Sequence, residues 1–445
     1  MASRLIDSLA TTDALAEVFS DRSILQAMLD FEAALARAEV TAGVIPARAV
    51  GAIAAAARAE HFDAEAIATE ARDSGTVSIP LVKALTARVQ AADAASARFV
   101  HFGATSQDVA DSAMVLTLRR AHTILAADHR RLDSTLRGLS DRHARTVMLG
   151  RTLLQPAPPI TFGLKVAGWA SALGRAWRRV EVAMDEAAVL QFGGAAGTLA
   201  ALGDRGQVVS SALAGELGLG APDAPWHTHR DRLAALVAAV GIYTATLGKI
   251  ARDITLLMQD EVGEAAEPGG GSSTMPHKRN PAACARVLAA ATRLPGLVAA
   301  FLTGMVQEHE RAVGGWHAEW PTIAAALQTT GSALEAMAGI AGELTVDADR
   351  MRANIERTNG AIFAERALML LTPALGKEPA NRIVNAALAQ SRETGKSFLE
   401  ALASTPDATR LIAPDELRTF DVPENYLGVA ETLRTRLLAR VRSEP

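Results

Sequence analysis

From Phe162 to Met184 the apolar side chains fall at Phe162, Val166, Trp169, Leu173, Trp177, Val180 and Met184, in steps of three and four. After Arg230 a second run places Leu233, Leu236, Val240, Tyr243, Leu247, Ile250, Ile254 and Leu257 on the same period. That period is one face of an α-helix. Each run covers roughly 30 residues, so each helix reaches ~45 Å at 1.5 Å per residue. Helices of this length constrain the chain to a long-helix bundle. A third run begins near Val109 and passes Met114, Leu118, Leu125, Leu132 and Leu136. A fourth follows Pro281, and Pro295-Gly296 is expected to kink or break it. A fifth extends from about Pro321 to Leu344. Thr228, with Asp231 three positions on, reads as a cap for the second run.

Alternating strands are scarce and no βαβ unit is evident, so the fold class is all-α. The expected organisation is three helical domains: residues 1–108, a central long-helix bundle over 109–350, and residues 351–445. Hydrophobic residues make up 49% and charged residues 21%, which supports a sizeable core. Alanine dominates the apolar fraction and buries little surface per residue. Such helices gain from packing against other subunits, so an oligomer is expected. The net charge of −4 and the lack of a long basic tract argue against a nucleic-acid partner. One cysteine, Cys284, excludes an intrachain disulfide and fits a reducing compartment. The N-terminal stretch lacks a signal-type apolar run, and no ~18-residue uninterrupted apolar segment calls for a membrane. The expectation is a cytoplasmic protein with no membrane partner.

Three polar stretches interrupt the helical pattern. EPGGGSSTMPHKRNP, residues 267 to 281, combines Gly269, Gly270 and Gly271 with Ser272, Ser273, Lys278 and Asn280. The glycines permit backbone conformations closed to other residues, and a mobile polar loop is a candidate lid over a substrate. HFGATSQDVADSA, residues 101 to 113, places Thr105 and Ser106 before a helix starting near Val109, with Asp108 as a cap. Hydroxyls and free N–H groups at a helix start suit a carboxylate, although ordinary N-capping explains them equally well. GRTLLQPAPPITFG, residues 150 to 163, reads as a loop with Thr152 and Gln155 before a proline-marked helix start. QEHERAVGGWHAEW, residues 307 to 320, groups His309, Arg311, His317 and Trp320, either as a charged helix end or as part of a site. His227-Thr228-His229 lacks the acidic partners of a metal site, and FGGAAGT is not a dinucleotide loop. Neither a metal nor a cofactor is expected.

GSSTMPHKRNP resembles the highly specific signature loop of the fumarase/aspartase superfamily, HFGATSQD and GRTLLQPA resemble its two other site segments in the family's order, and the likeness extends over most of the chain. The resemblance implies a homotetramer whose central helices form a 20-helix core, with each active site built from three chains. It implies elimination across a carbon–carbon bond beside a carboxylate, or the reverse. By position, Ser272 matches the family's base, and Lys278 and Asn280 its carboxylate-binding pair. Thr105, Ser106, Thr152 and Gln155 match substrate-contacting positions, and His101 matches a site histidine of the adenylosuccinate lyases. Arg311 and His317 are further candidates.

One position departs from the family pattern. Many family lyases read Thr-His where this chain reads Thr152-Leu153. In the adenylosuccinate lyases that histidine protonates the leaving nitrogen, and leucine cannot donate a proton. A carboxylate leaving group, with a pKa near ~4, departs as a stable anion and needs no acid. The branch of the superfamily that moves a carboxylate is the bacterial carboxymuconate cycloisomerases, and FSDRSILQAMLDFEAALARAE, SIPLVKAL and QEHERAVGGWHAEWPT are similar to it. The expected substrate is a small tricarboxylate. The rival readings are an adenylosuccinate- or argininosuccinate-type lyase and, in another class, a non-catalytic scaffold of this fold.

Overall fold

The computed structural model describes residues 5–271, 274–275 and 277–439. Helices dominate it. The elements that position the site are α1 (Asp21–Thr41), α2 (Ser106–Arg142), β1 (Val147–Thr152), β2 (Gln155–Thr161), α3 (Phe162–Ala187), α4 (Asp231–Leu257), α5 (Ala282–Gly304), α6 (Gly315–Glu343) and α7 (Ala348–Glu356). The five helices α2 to α6 are the five long runs that the apolar period predicts.

Their ends differ from the sequence reading in ways that have physical causes. Helix α2 begins three residues before Val109, because the carbonyl of Thr105 accepts the N–H groups of Asp108 and Val109. Helix α5 runs through Pro295 without a break. Thr228 does not cap α4; its hydroxyl donates to the carbonyl of His309 at 2.9 Å. The stretch read as a loop before a helix is an antiparallel hairpin, β1 with β2, in which Thr152 pairs with Gln155. Pro156, Pro158 and Pro159 obscured it, since proline is unusual inside a strand; a bulge at Leu149/Gly150 absorbs the irregularity.

The chain divides into two compact units. The first comprises residues 1–130, 176–248 and 286–336. In its core Trp177 stacks between His122 and His129, at 5.4 and 4.5 Å between ring centroids, and meets Tyr243 edge-on. A Cβ at Gly331 would lie 2.0 Å from Leu15, so the absence of a side chain there lets α6 approach the N-terminal segment. The second comprises residues 131–175, 249–285 and 337–445. There Val147 and Leu149 of β1 join a core with Ile355, Phe363, Phe398 and Phe420. Burying each such side chain contributes about 1.5–3 kcal/mol, so β1 is held by its apolar face. A Cβ at Gly163 would lie 2.6 Å from the carbonyl of Ser140, which fixes glycine where β2 turns into α3.

Candidate active site

In the first unit the site segment is built around one carboxylate. Asp108 is fully buried in the first turn of α2. Its Oδ2 accepts the backbone N–H of Thr105 at 3.0 Å and of Gly194 at 2.9 Å. Its Oδ1 accepts the N–H of Gly193 at 3.0 Å and lies 2.7 Å from His227 Nε2. The FGGAAGT stretch therefore holds a side chain of this same chain. Above it, Arg311 donates to Thr105 Oγ1 at 2.8 Å and to the carbonyl of Ala195 at 3.1 Å. Thr105 and Arg311 are thus brought into contact, and Thr105 is fixed through backbone and hydroxyl together. Ser106 opens α2, and its carbonyl accepts the Ser78 hydroxyl at 3.0 Å. His317 lies among aromatic rings, 5.1 Å from Trp316 and 5.5 Å from Trp320.

One turn further along α2, Asp111 anchors a second buried cluster. Arg230 grips Asp111 through two hydrogen bonds of 2.7 and 3.0 Å and Glu319 through three of 2.7 to 3.1 Å. Trp316, Gln107 and Gln191 donate to Asp111 as well, and Gln307 donates to Glu319. Burial alone would raise the pKa of Asp111, but Arg230 outweighs it and holds the group below its ordinary value. For Glu319 burial prevails over Arg230, and its pKa is raised. The sequence signals for His227 and Arg230 were present in HTHRD, but the acidic partners lie over eighty residues away.

His101 takes a left-handed backbone with φ 58°, and its Nδ1 lies 2.6 Å from Glu32 Oε1 on α1. Burial opposes its charge, yet the adjacent Glu32 wins and the His101 pKa is raised. Seven residues along α1, two turns on the same face, Glu39 is fully buried and neither carboxyl oxygen has a hydrogen-bond partner. Burial first, and the nearby Glu32 second, push its pKa up to about 9.

In the second unit Thr152 and Gln155 flank the turn of the hairpin. Its two central residues, Leu153 and Leu154, have φ of 50° and 64°. Such turns favour Asn-Gly because both positions need positive φ. Leucine there is strained, and strain of this kind collects at functional sites. Both leucines face solvent, Leu153 at 97% and Leu154 at 72% exposure. The hairpin is braced by Arg151, which donates to both oxygens of the buried Glu264 at 2.6 and 2.9 Å; Glu264 also accepts Asn354 Nδ2 at 2.8 Å.

The glycine-rich loop is tied at its neck. Glu267 accepts the N–H groups of Ala283 and Cys284 at 2.7 and 2.8 Å, capping α5. Arg279 donates to the Glu267 carbonyl, and Asn280 N–H to the Gly270 carbonyl at 2.6 Å. A Cβ at Gly270 would sit 1.8 Å from the Asn280 oxygen, so the crossing requires glycine. Lys278 is exposed. Burial, with Glu267 adjacent, raises the Cys284 thiol well above the usual range, so it stays protonated. Ser272, the expected base, lies outside the described residues.

Residues 8–296 match the family described as lyase, and residues 360–437 match the adenylosuccinate lyase C-terminus. The chain belongs to the fumarase/aspartase superfamily of lyases. Within it, the chain is 48% identical over 440 residues to the 3-carboxy-cis,cis-muconate cycloisomerase of Bradyrhizobium diazoefficiens, covering 98% of each. The crystal structure of the 3-carboxy-cis,cis-muconate lactonizing enzyme from Pseudomonas putida matches with a TM-score of 0.94, at 42% identity and over 99% of both chains. The nitrosuccinate lyase of Streptomyces davaonensis is 41% identical over 94% of this chain and 90% of its own.

Two outcomes follow from the buried charges. Arg230→Met leaves two buried carboxylates without their cation and is expected to cost about 3–5 kcal/mol, read from the urea midpoint; a loss under ~1 kcal/mol would contradict this account. Between its ordinary pKa of 4.5 and about 9, Glu39 is protonated when folded and ionised when unfolded, so stability falls as pH rises through that window. Glu39→Leu is therefore expected to gain more over the parent at pH ~8.5 than at pH ~5, and a gain that shrinks with pH would refute it.

Proposed function

We infer that this chain is a cycloisomerase that converts 3-carboxy-cis,cis-muconate to a carboxymuconolactone. The observation that carries this reading is Leu153. It stands at the tip of the hairpin between Thr152 and Gln155, where other branches of the superfamily place a histidine acid. The relatives at 40–48% identity that bear the cycloisomerase name supply the substrate.

The chemistry follows from the leaving group. In lactonisation a substrate carboxylate oxygen forms a bond to one carbon of a C=C double bond. The electron pair moves to the neighbouring carbon, which becomes a carbanion delocalised into an adjacent carboxylate. The Ser272 hydroxyl delivers a proton to that carbon and recovers one from solvent. In reverse, Ser272 removes the proton and the carboxylate leaves as an anion stable near neutral pH. No acid is needed at position 153. Lys278, Asn280, Thr105 and Ser106 hold the carboxylates of the tricarboxylate, with Thr152, Gln155 and His101 in contact with substrate and Arg311 beside Thr105. Preorganised donors of this kind stabilise the charge that builds in the transition state.

The working form in this reading is a homotetramer. Supporting it, the apolar helix α5 is only 22% buried along its most apolar 18 residues in a single chain, and Leu302 on it is 47% exposed. A second copy covers such a face. Light scattering is expected to give the mass of four chains; the mass of one chain would contradict the assembly.

The nitrosuccinate lyase likeness favours one alternative, because nitrite is also a weakly basic leaving group that needs no acid. The substrates separate the readings. Loss of the conjugated-diene absorbance of 3-carboxy-cis,cis-muconate is expected with this protein, with little or no turnover of nitrosuccinate or adenylosuccinate. Ser272→Ala is expected to lower kcat at least a hundredfold with the fold retained, and Leu153→His to leave lactonisation within about threefold. Turnover of adenylosuccinate alone, or a large rate gain in Leu153→His, would overturn the assignment.

A further inference from the structure

Within the second unit a cavity of about 480 Å³ lies against the hairpin. That volume suits a small organic molecule. Its position follows from strand geometry. Side chains alternate across a strand, and directly paired residues share a face. Arg151 pairs with Pro156, and both line the cavity; Thr152 pairs with Gln155, and neither does. The cavity therefore lies on the face of the hairpin opposite the two expected substrate contacts.

The walls have a mixed character. Pro156, Leu149 and Ile362 are apolar, and so is Leu154, whose strained, largely exposed position borders the space. Two guanidinium groups line it, and they differ. Arg151 is neutralised by Glu264. Arg357 spends Nη1 on the carbonyl of Glu261 at 3.1 Å and on Asn354 Oδ1 at 3.2 Å. Among the described residues no carboxylate lies within ion-pair distance of Arg357. Glu261 also borders the cavity, yet Arg357 meets its backbone oxygen, not its carboxylate. A planar guanidinium with open donors beside an apolar wall fits a carboxylate carried on a flat apolar body.

The cavity is also wired to the hairpin. Arg357 contacts Asn354, Asn354 contacts Glu264, and Glu264 holds Arg151, in one continuous chain of hydrogen bonds. A ligand that draws Arg357 away from Asn354 changes the bracing of the strand whose next residue is Thr152.

We propose that this cavity is a binding site for small aromatic or dienoic carboxylates, seated on Arg357 against Leu154 and Pro156, and that its occupancy tunes the hairpin. It is a site additional to the reaction of the proposed function, and its binding arms do not depend on what the enzyme turns over.

Calorimetric titration of the intact protein with benzoate tests it, with benzamide as the neutral isostere. Saturable binding is expected, at least tenfold tighter for benzoate than for benzamide. Arg357→Gln is expected to weaken benzoate at least tenfold. Ala361→Trp, which fills the cavity from an exposed lining position, is expected to do the same. Benzoate is expected to shift the KM of the parent but not of Arg357→Gln, whose KM without benzoate stays within about twofold of the parent. Three results would each overturn the proposal: no saturable binding, equal affinity in parent and Arg357→Gln, or equal affinity in parent and Ala361→Trp.

Discussion

The fully buried carboxylate of Asp108 accepts backbone N–H groups from half-buried Thr105 and from buried Gly193 and Gly194, and faces buried His227. A buried charge is costly unless its lone pairs are filled, and here they are. The start of α2 is fixed to two distant stretches of chain by this one group. Because positions three apart share a helix face, Asp111 presents the next carboxylate to the same interior, where Arg230 and Glu319 complete it. The hydroxyl of Thr105 is thus held by a scaffold reaching residues over two hundred positions away. In the proposed function this hydroxyl is one of the donors to the substrate's carboxylates, and a donor fixed beforehand needs no reorganisation when charge develops.

The other polar segments show a different balance. The neck of the glycine-rich loop is fastened by Glu267, Arg279 and the Gly270–Asn280 crossing. Three consecutive glycines, 269 to 271, precede Ser272, and the middle one makes the close crossing with Asn280 that no side chain would allow. The hairpin combines a salt-bridged base with a strained tip of two exposed leucines. Leucine at position 153 makes chemical sense when the departing group is already a stable anion. It would be a defect in an enzyme that expels an amine.

Much of this was legible in the sequence, for physical reasons. Apolar side chains at steps of three and four marked the helices over 162–187 and 231–257, since burial of one face imposes that period over many turns, and the other three long helices were read from longer apolar runs. The loop and the hydroxyl pair at 105 and 106 were visible because glycine clusters and hydroxyls are out of place in a helix interior. The hairpin was not, because three prolines in β2 spoke against a strand and Leu153-Leu154 carries no turn signal. Nor was the Asp108–His227 pairing: its members are separated by 119 positions, and local sequence holds no record of such partners. The unpartnered Glu39 could be read as a charged helix position, and only the surrounding packing makes it a buried acid.

The central claim is that a serine on the glycine-rich loop moves a proton at carbon while a carboxylate adds or departs without acid assistance. Running the reaction on 3-carboxy-cis,cis-muconate in D2O and reading the product by NMR tests it directly. The account predicts a lactone carrying one deuterium, in a single configuration, on the carbon beside a carboxylate. A lactone with deuterium distributed over both configurations, or a product in which water has added and no ring has closed, would contradict it.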